Sequence, residues 1–164
     1  MKLYIKEKVL SFRDKFSVLD EGGQERYFAK GEIFTFGKKL HVYDSDGSEV
    51  AFIRQKLLTI LPKYTVEIGE NAFEIVKEFT LLNQSFYIKN TNCVIKGDFW
   101  AHEYEIFDTA IGQTIARVSK KWLTWGDSYE IEVFDDRNEF FALCVVIAVD
   151  CINENSDTAI AASS

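Results

Sequence analysis

Apolar and polar residues alternate with a period of two in a succession of short runs, which is the pattern of strands with one face buried. The runs are 2–8, 15–19, 26–30, 39–43, 49–57, 64–68, 72–79, 85–89, 93–97, 103–107, 114–121 and 129–134. Turn residues separate them: Asp20-Glu21-Gly22-Gly23, Asp44-Ser45-Asp46-Gly47 and Gly69-Glu70-Asn71. Glycine is suited to these places because it tolerates positive φ. About a dozen short strands are predicted.

A repeat underlies the series. Shifted by 65, Gly47, Ala51, Lys56, Leu58, Thr59, Tyr64 and Glu67 fall on Gly112, Ala116, Lys121, Leu123, Thr124, Tyr129 and Glu132, with no gap from 47 to 68. Upstream, Lys30-Gly31-Glu32 matches Lys96-Gly97-Asp98 once loop lengths are adjusted. Two copies make no solenoid; they predict two half-barrels of one closed sheet, a closure that removes edge strands. The period of two places Ala51, Ile53 and Leu57, with Ala116, Val118 and Trp122, on the inner face. Lys56 and Lys121 then point outward.

The pattern changes after residue 135. Residues 140–149 are apolar on every side, and Asp136 and Glu139 have capping-box spacing with Asp136 at the N-cap. A membrane span needs about 20 apolar residues, and Asp150 interrupts this run. A strand of this length would be unusually long. A helix over 139–152, roughly 20 Å long, must be buried all round, and a barrel of more than eight strands has room for it. The small Ala51 and Ala116 suit a crowded lumen. Burying ten such side chains is worth at most about 15–25 kcal/mol gross, so the helix is predicted to be essential for folding. One domain is expected over 1–153, with 154–164 as a flexible tail.

Composition adds exclusions. The 164 residues are 47% hydrophobic and 15% aromatic, which is globular and strand-rich. The net charge of −7 argues against nucleic-acid binding, which needs a concentrated positive surface. The charge is uneven, since residues 1–15 carry +3 and the remainder −10. The first strand is therefore read as a solvated edge guarded by lysines. Three cysteines form no disulfide framework. Residues 1–6 lack the apolar core of a secretory leader, and a reducing cytoplasm is expected.

Candidate chemistry is sparse. Lys56, Arg117, Lys120 and Lys121 occupy equivalent places in the two halves and are the candidates for holding an anionic phospholipid headgroup; the plainer reading is a solvated charged face. His102 with Glu103 and Asp98 falls short of the three or four convergent ligands of a metal site, His41 being the other histidine, and His102 is read as a packing or hydrogen-bonding residue. Asp44 to Glu49 begins like a calcium loop but carries Glu where the turn glycine belongs, and is read as a hairpin. Trp122 and Trp125 are read as core or as a recognition patch. No nucleophile has a histidine at a recognisable spacing, and no phosphate-cradling glycine loop is present. Neither catalytic residues nor a cofactor nor a metal is expected.

The stretches 8–16, 55–58, 97–104, 116–122 and 145–150 together resemble the LURP-one-related family, in the superfamily of tubby C-terminal domains and phospholipid scramblases, with bacterial-type members most similar. The resemblance spans residues 6–153. It implies a mainly β, tubby-like fold, a closed antiparallel barrel of twelve strands around a central C-terminal helix, and brings no catalytic motif. The expectation is a non-enzymatic cytoplasmic binding or scaffold domain whose partner, a protein or ligand, is unknown. The alternative is a peripheral module binding anionic phospholipid at the membrane surface, with no transmembrane segment.

Overall fold

The computed structural model describes residues 1–6, 16–32, 35–79, 84–99, 101–123 and 126–163. Twelve strands follow one another: β1 (Lys2–Lys6), β2 (Phe16–Leu19), β3 (Glu25–Gly31), β4 (Lys39–Asp44), β5 (Glu49–Gln55), β6 (Lys63–Ile68), β7 (Asn71–Phe79), β8 (Gln84–Lys89), β9 (Cys93–Asp98), β10 (Glu103–Asp108), β11 (Gln113–Leu123) and β12 (Gly126–Val133). Each pairs antiparallel with its neighbour in sequence, and β1 closes the ring against β12 through Leu3↔Ile131 and Ile5↔Tyr129. The lysine-rich first strand is thus no edge: β2 and β12 flank it. Much of its basic stretch, 7–15, and with it most of the family-like run 8–16, lies outside the described residues.

Both halves carry the same irregularity. Val42 pairs with Ala51 but Tyr43 with Glu49, so Val50 is the extra residue of a bulge. Ile106 pairs with Ala116 but Phe107 with Thr114, so Ile115 is the extra residue there. Val50 and Ile115 are 65 apart, and the turns just before them use Gly47 and Gly112 at positive φ. Bulges bend and twist a strand, so the repeat preserves the curvature needed for closure.

A 3-10 turn (Asp136–Asn138) leads into α1 (Glu139–Ser163), which enters the lumen from the rim where β12 ends. Every residue from Ala142 to Val149 is completely buried, as are Cys151 and Ile152. The inner faces of the strands meet them through Leu3, Ile5, Leu40, Ile53, Val66, Ile75, Phe86, Ile95, Val118 and Ile131. Ala51, Ile53, Ala116 and Val118 point inward as the alternation requires. Phe140 and Phe141 plug the entry, against Tyr27 (5.4 Å between ring centroids) and Phe73 (5.0 Å).

Four expectations need correction. Leu57 does not point inward but is 50% exposed: β5 ends at Gln55, whose N–H donates to the Lys38 carbonyl (2.7 Å) and whose side-chain oxygen accepts from the Lys38 N–H (3.0 Å). This clasp turns the chain, and the alternation ends with it. The N-cap is Asp135, which accepts from the Arg137 N–H, because the extra 3-10 turn moves the cap one residue earlier. Glu139 is taken up by Arg26, whose Nη2 donates to it at 2.8 Å. The helix passes the expected end near 152 and continues to Ser163, so the residues read as a tail have helical backbone. The closing β12–β1 contact is the fourth, replacing the free edge. Trp122 and Trp125 fall outside the described side chains.

If the helix holds the barrel open from inside, Leu143→Ala should lower the unfolding free energy by about 2–5 kcal/mol. Glu70→Ala, on an exposed turn, should change it by no more than about 0.5 kcal/mol. Urea denaturation followed by circular dichroism measures both, and similar small losses would contradict a load borne by the lumen.

Candidate functional site

Because neighbouring strands run in opposite directions, odd-numbered strands all end at one rim, here called the upper rim, and even-numbered strands end at the lower. The candidate cations can be placed on this frame. Lys56 follows β5 and Lys121 lies near the end of β11, six strands away around the ring of twelve, so they occupy opposite walls of the same rim. Lys56 Nζ sits 2.5 Å from Glu74 and Lys121 Nζ 3.7 Å from Glu130. Arg117, farther down β11, stands 4.0 Å from Glu105 and lies over the Phe134 ring at 5.6 Å. The Lys120 N–H donates to Glu103 (3.2 Å). The four residues therefore do not converge on a single pocket.

What does converge is a buried polar cluster near the upper mouth. Asp150, on the lumen helix and 2% exposed, accepts from the Tyr129 hydroxyl through Oδ2. Its Oδ1 lies 3.3 Å from His102 Nε2. The His102 ring stacks on Tyr129 (4.6 Å, 15° between planes), and its backbone is left-handed at φ 53°. Tyr64, the repeat partner of Tyr129, donates to the Cys151 carbonyl at 3.4 Å, and Asn153 Nδ2 donates to the Phe99 carbonyl at 3.1 Å. Burial first and the Asp150 charge second push the Tyr129 and Tyr104 phenols well above their ordinary range. Both therefore stay protonated, and Tyr129 is the one that donates to Asp150. The cluster fixes the helix in rotation and depth, and His102 is a packing residue in this sense. Its partner Asp150 was readable only as an interruption of an apolar run.

Other positions are structural or superficial. The Asp44 carboxylate accepts from the backbone N–H groups of Asp46 (3.0 Å) and Ser48 (2.9 Å), so this segment is a hairpin turn. Among the described residues, no three His, Cys, Asp or Glu side chains are grouped to hold a metal ion. Lys77 points inward in register with Phe73 and Ile75, and burial holds its pKa below the ordinary value. Sequence reasoning passed over it, although it sits on the apolar parity of β7. A shallow depression of about 360 Å³ on the outer wall is lined by Lys96, Glu103, Glu105 and Arg117, with mixed charge.

The upper rim also carries exposed apolar side chains. Phe36, Leu58 and Ile60 are almost wholly in solvent, beside the half-exposed Leu57. Leu58 is left-handed at φ 59°, a strained conformation for a side chain of this size.

A twelve-stranded antiparallel cylinder closed around its own C-terminal helix defines the class of this protein. The description LURP-one-related attaches to the family model matching residues 1–150, and the chain belongs to that family. It is 33% identical over 159 residues to the uncharacterized protein YxjI of Bacillus subtilis (strain 168), covering 96% of each chain. An X-ray structure of a protein from Arabidopsis thaliana superposes with a TM-score of 0.68 over 93% of this chain and 90% of that one. At 15% identity this is a likeness of fold.

Two measurements probe these polar contacts. His102→Ala should cost about 1–3 kcal/mol of stability by removing the ring stacked on Tyr129 and the imidazole beside the buried Asp150 carboxylate, read by urea denaturation. At His41, burial lowers the pKa while Glu32 Oε1 (3.0 Å from Nε2) and Glu49 Oε1 (3.1 Å from Nδ1) raise it, and the two carboxylates prevail. A raised folded-state pKa stabilises fully below the unfolded value near 6.5 and is lost as pH rises through the folded value. The native protein should therefore lose more stability than His41→Gln as pH rises from below the unfolded value near 6.5 through the raised folded value.

Proposed function

We propose that this protein is a non-enzymatic binding domain that engages its partner from outside the barrel, in the cytoplasm. The observation carrying this reading is the occupied lumen: Ala142 to Val149 have no solvent exposure. Ligand sites in barrels that bind small molecules use the interior or its mouth; here the chain's own helix takes that volume. The buried polar cluster supports the same reading, since Asp150 and Tyr129 are spent on each other. Cys93, Cys144 and Cys151 are buried and form no disulfide with one another, which suits a reducing compartment.

The headgroup role of Lys56, Arg117, Lys120 and Lys121 belongs to this reading in one form. Lys56 and Lys121 stand on opposite walls, too far round the ring for one small anion, yet at one rim, where an extended surface would meet both. In native lysate, the domain should retain a specific component, and neutralising Lys56 and Lys121 to Gln should change what is retained while circular dichroism still shows the folded barrel. A small molecule that co-purifies as added mass in native mass spectrometry, and is released only on unfolding, would show an occupied interior and overturn external capture.

A further inference from the structure

Two features divide the rims of the barrel. The first is apolar exposure. At the upper rim the β3–β4 and β5–β6 connections form one unit: Lys38 and Gln55 exchange two hydrogen bonds, and a Cβ built on Gly37 would lie 2.8 Å from Leu57 Cδ2. This unit presents Phe36, Leu57, Leu58 and Ile60 to water. The β5–β6 turn is held in shape by the Thr59 hydroxyl, which donates to the Leu61 carbonyl at 2.7 Å, and by the Lys56 N–H, which donates to the Lys63 carbonyl at 2.8 Å. Exposed apolar residues at the lower rim are fewer: Ile111, and Phe134, which Arg117 covers in part.

The second feature is charge. Lys38, Lys39, Lys56 and Lys63 surround the apolar tip, with Glu32 and Glu74 as the carboxylates bonded among them. Lower-rim turns carry Asp20 and Glu21, Asp44 and Asp46, Asp135 and Asp136, relieved by Arg137. These turns thus place a cluster of carboxylates at the end of the barrel away from the tip.

We propose that the upper rim seats on an anionic lipid bilayer, with Phe36, Leu57, Leu58 and Ile60 entering the interfacial region and Lys38, Lys56 and Lys63 meeting lipid phosphates. This rests on the reading that the partner is engaged from outside. A bilayer fits better than a protein groove because Phe36, Leu58 and Ile60 stand on turns, each almost wholly exposed. A soft surface accepts such tips, whereas a protein partner needs a matching cavity for each. The basic surround supplies attraction to anionic lipid, and the acidic lower rim is repelled, which sets one orientation. No helix among the described residues is long and apolar enough to cross a membrane, so the contact is peripheral.

Vesicle flotation with the full chain tests this, comparing phosphatidylcholine with phosphatidylcholine containing phosphatidylglycerol, at low and high salt. Binding is expected on the anionic vesicles alone, weakened by salt. The double substitution Leu58→Asp/Ile60→Asp should reduce it at least about tenfold, and Ile111→Asp, at the lower rim, by less than about twofold. The native cysteines are buried, so Leu58→Cys can carry an environment-sensitive dye, whose emission should shift to the blue on anionic vesicles. No binding at low salt, or binding indifferent to Leu58→Asp/Ile60→Asp, overturns the proposal. So does self-association without vesicle binding, abolished by that double substitution, which would make the rim a contact between two copies. In those cases external capture survives if the lysate component is still retained, and falls only if an interior ligand is found.

Discussion

Removing an all-round apolar helix from water is the constraint on which this structure depends. An amphipathic helix can lie on a sheet and leave one face wet, but residues 140–149 offer no polar face. The sheet must therefore surround them, and a sheet that surrounds something becomes a cylinder. Closure, the small alanines at Ala51 and Ala116, and the matched bulges at Val50 and Ile115 all follow from that demand. So does the functional consequence: a lumen filled by the chain itself leaves chemistry to the walls and rims.

How much of this was legible depends on how local the cause is. All twelve strands could be read because alternation and turn residues act within a few positions, and the repeat located the two halves. The helix was legible because no other state tolerates that composition. Leu57 was misplaced because the clasp between Lys38 and Gln55, seventeen residues apart, ends the strand early. The helix starts at Glu139 as expected, but the cap moved from Asp136 to Asp135 because a 3-10 turn precedes the helix, and Glu139 is taken up by Arg26 from 113 positions away. The His102–Asp150 contact lay beyond reach for the same reason, since no periodicity records which side chain of a lumen helix meets which wall.

A two-fold-related barrel around a single helix also poses a symmetry problem. Tyr64 and Tyr129 are repeat partners, both fully buried and both aimed at the helix near residues 150 and 151. One finds a backbone carbonyl, the other a carboxylate. Since a helix has no two-fold axis along its length, identical walls must meet different atoms, and this difference is what makes one rotational setting best. Asp150 is costly in an apolar lumen unless bonded, so a helix turned away from Tyr129 and His102 would bury an unsatisfied charge. The polar cluster adds specificity to an interaction whose strength is hydrophobic.

The division between the rims has a related physical origin. Stability comes from the lumen and the sheet, so the connections at each end are free to differ without threatening the fold. At the lower rim they are tight turns whose carboxylates bond their own backbone, as Asp20 does with Gly22 and Gln24 and Asp44 with Asp46 and Ser48. Those acids are explained by the turns they make. The exposed apolar residues of the upper rim have no such explanation among the described residues. Leu58 holds a left-handed backbone while its side chain stands in water, so it is unfavourable twice over. Strain and exposure at one residue, beside the equally exposed Phe36 and Ile60, point to a compensation supplied from outside the chain.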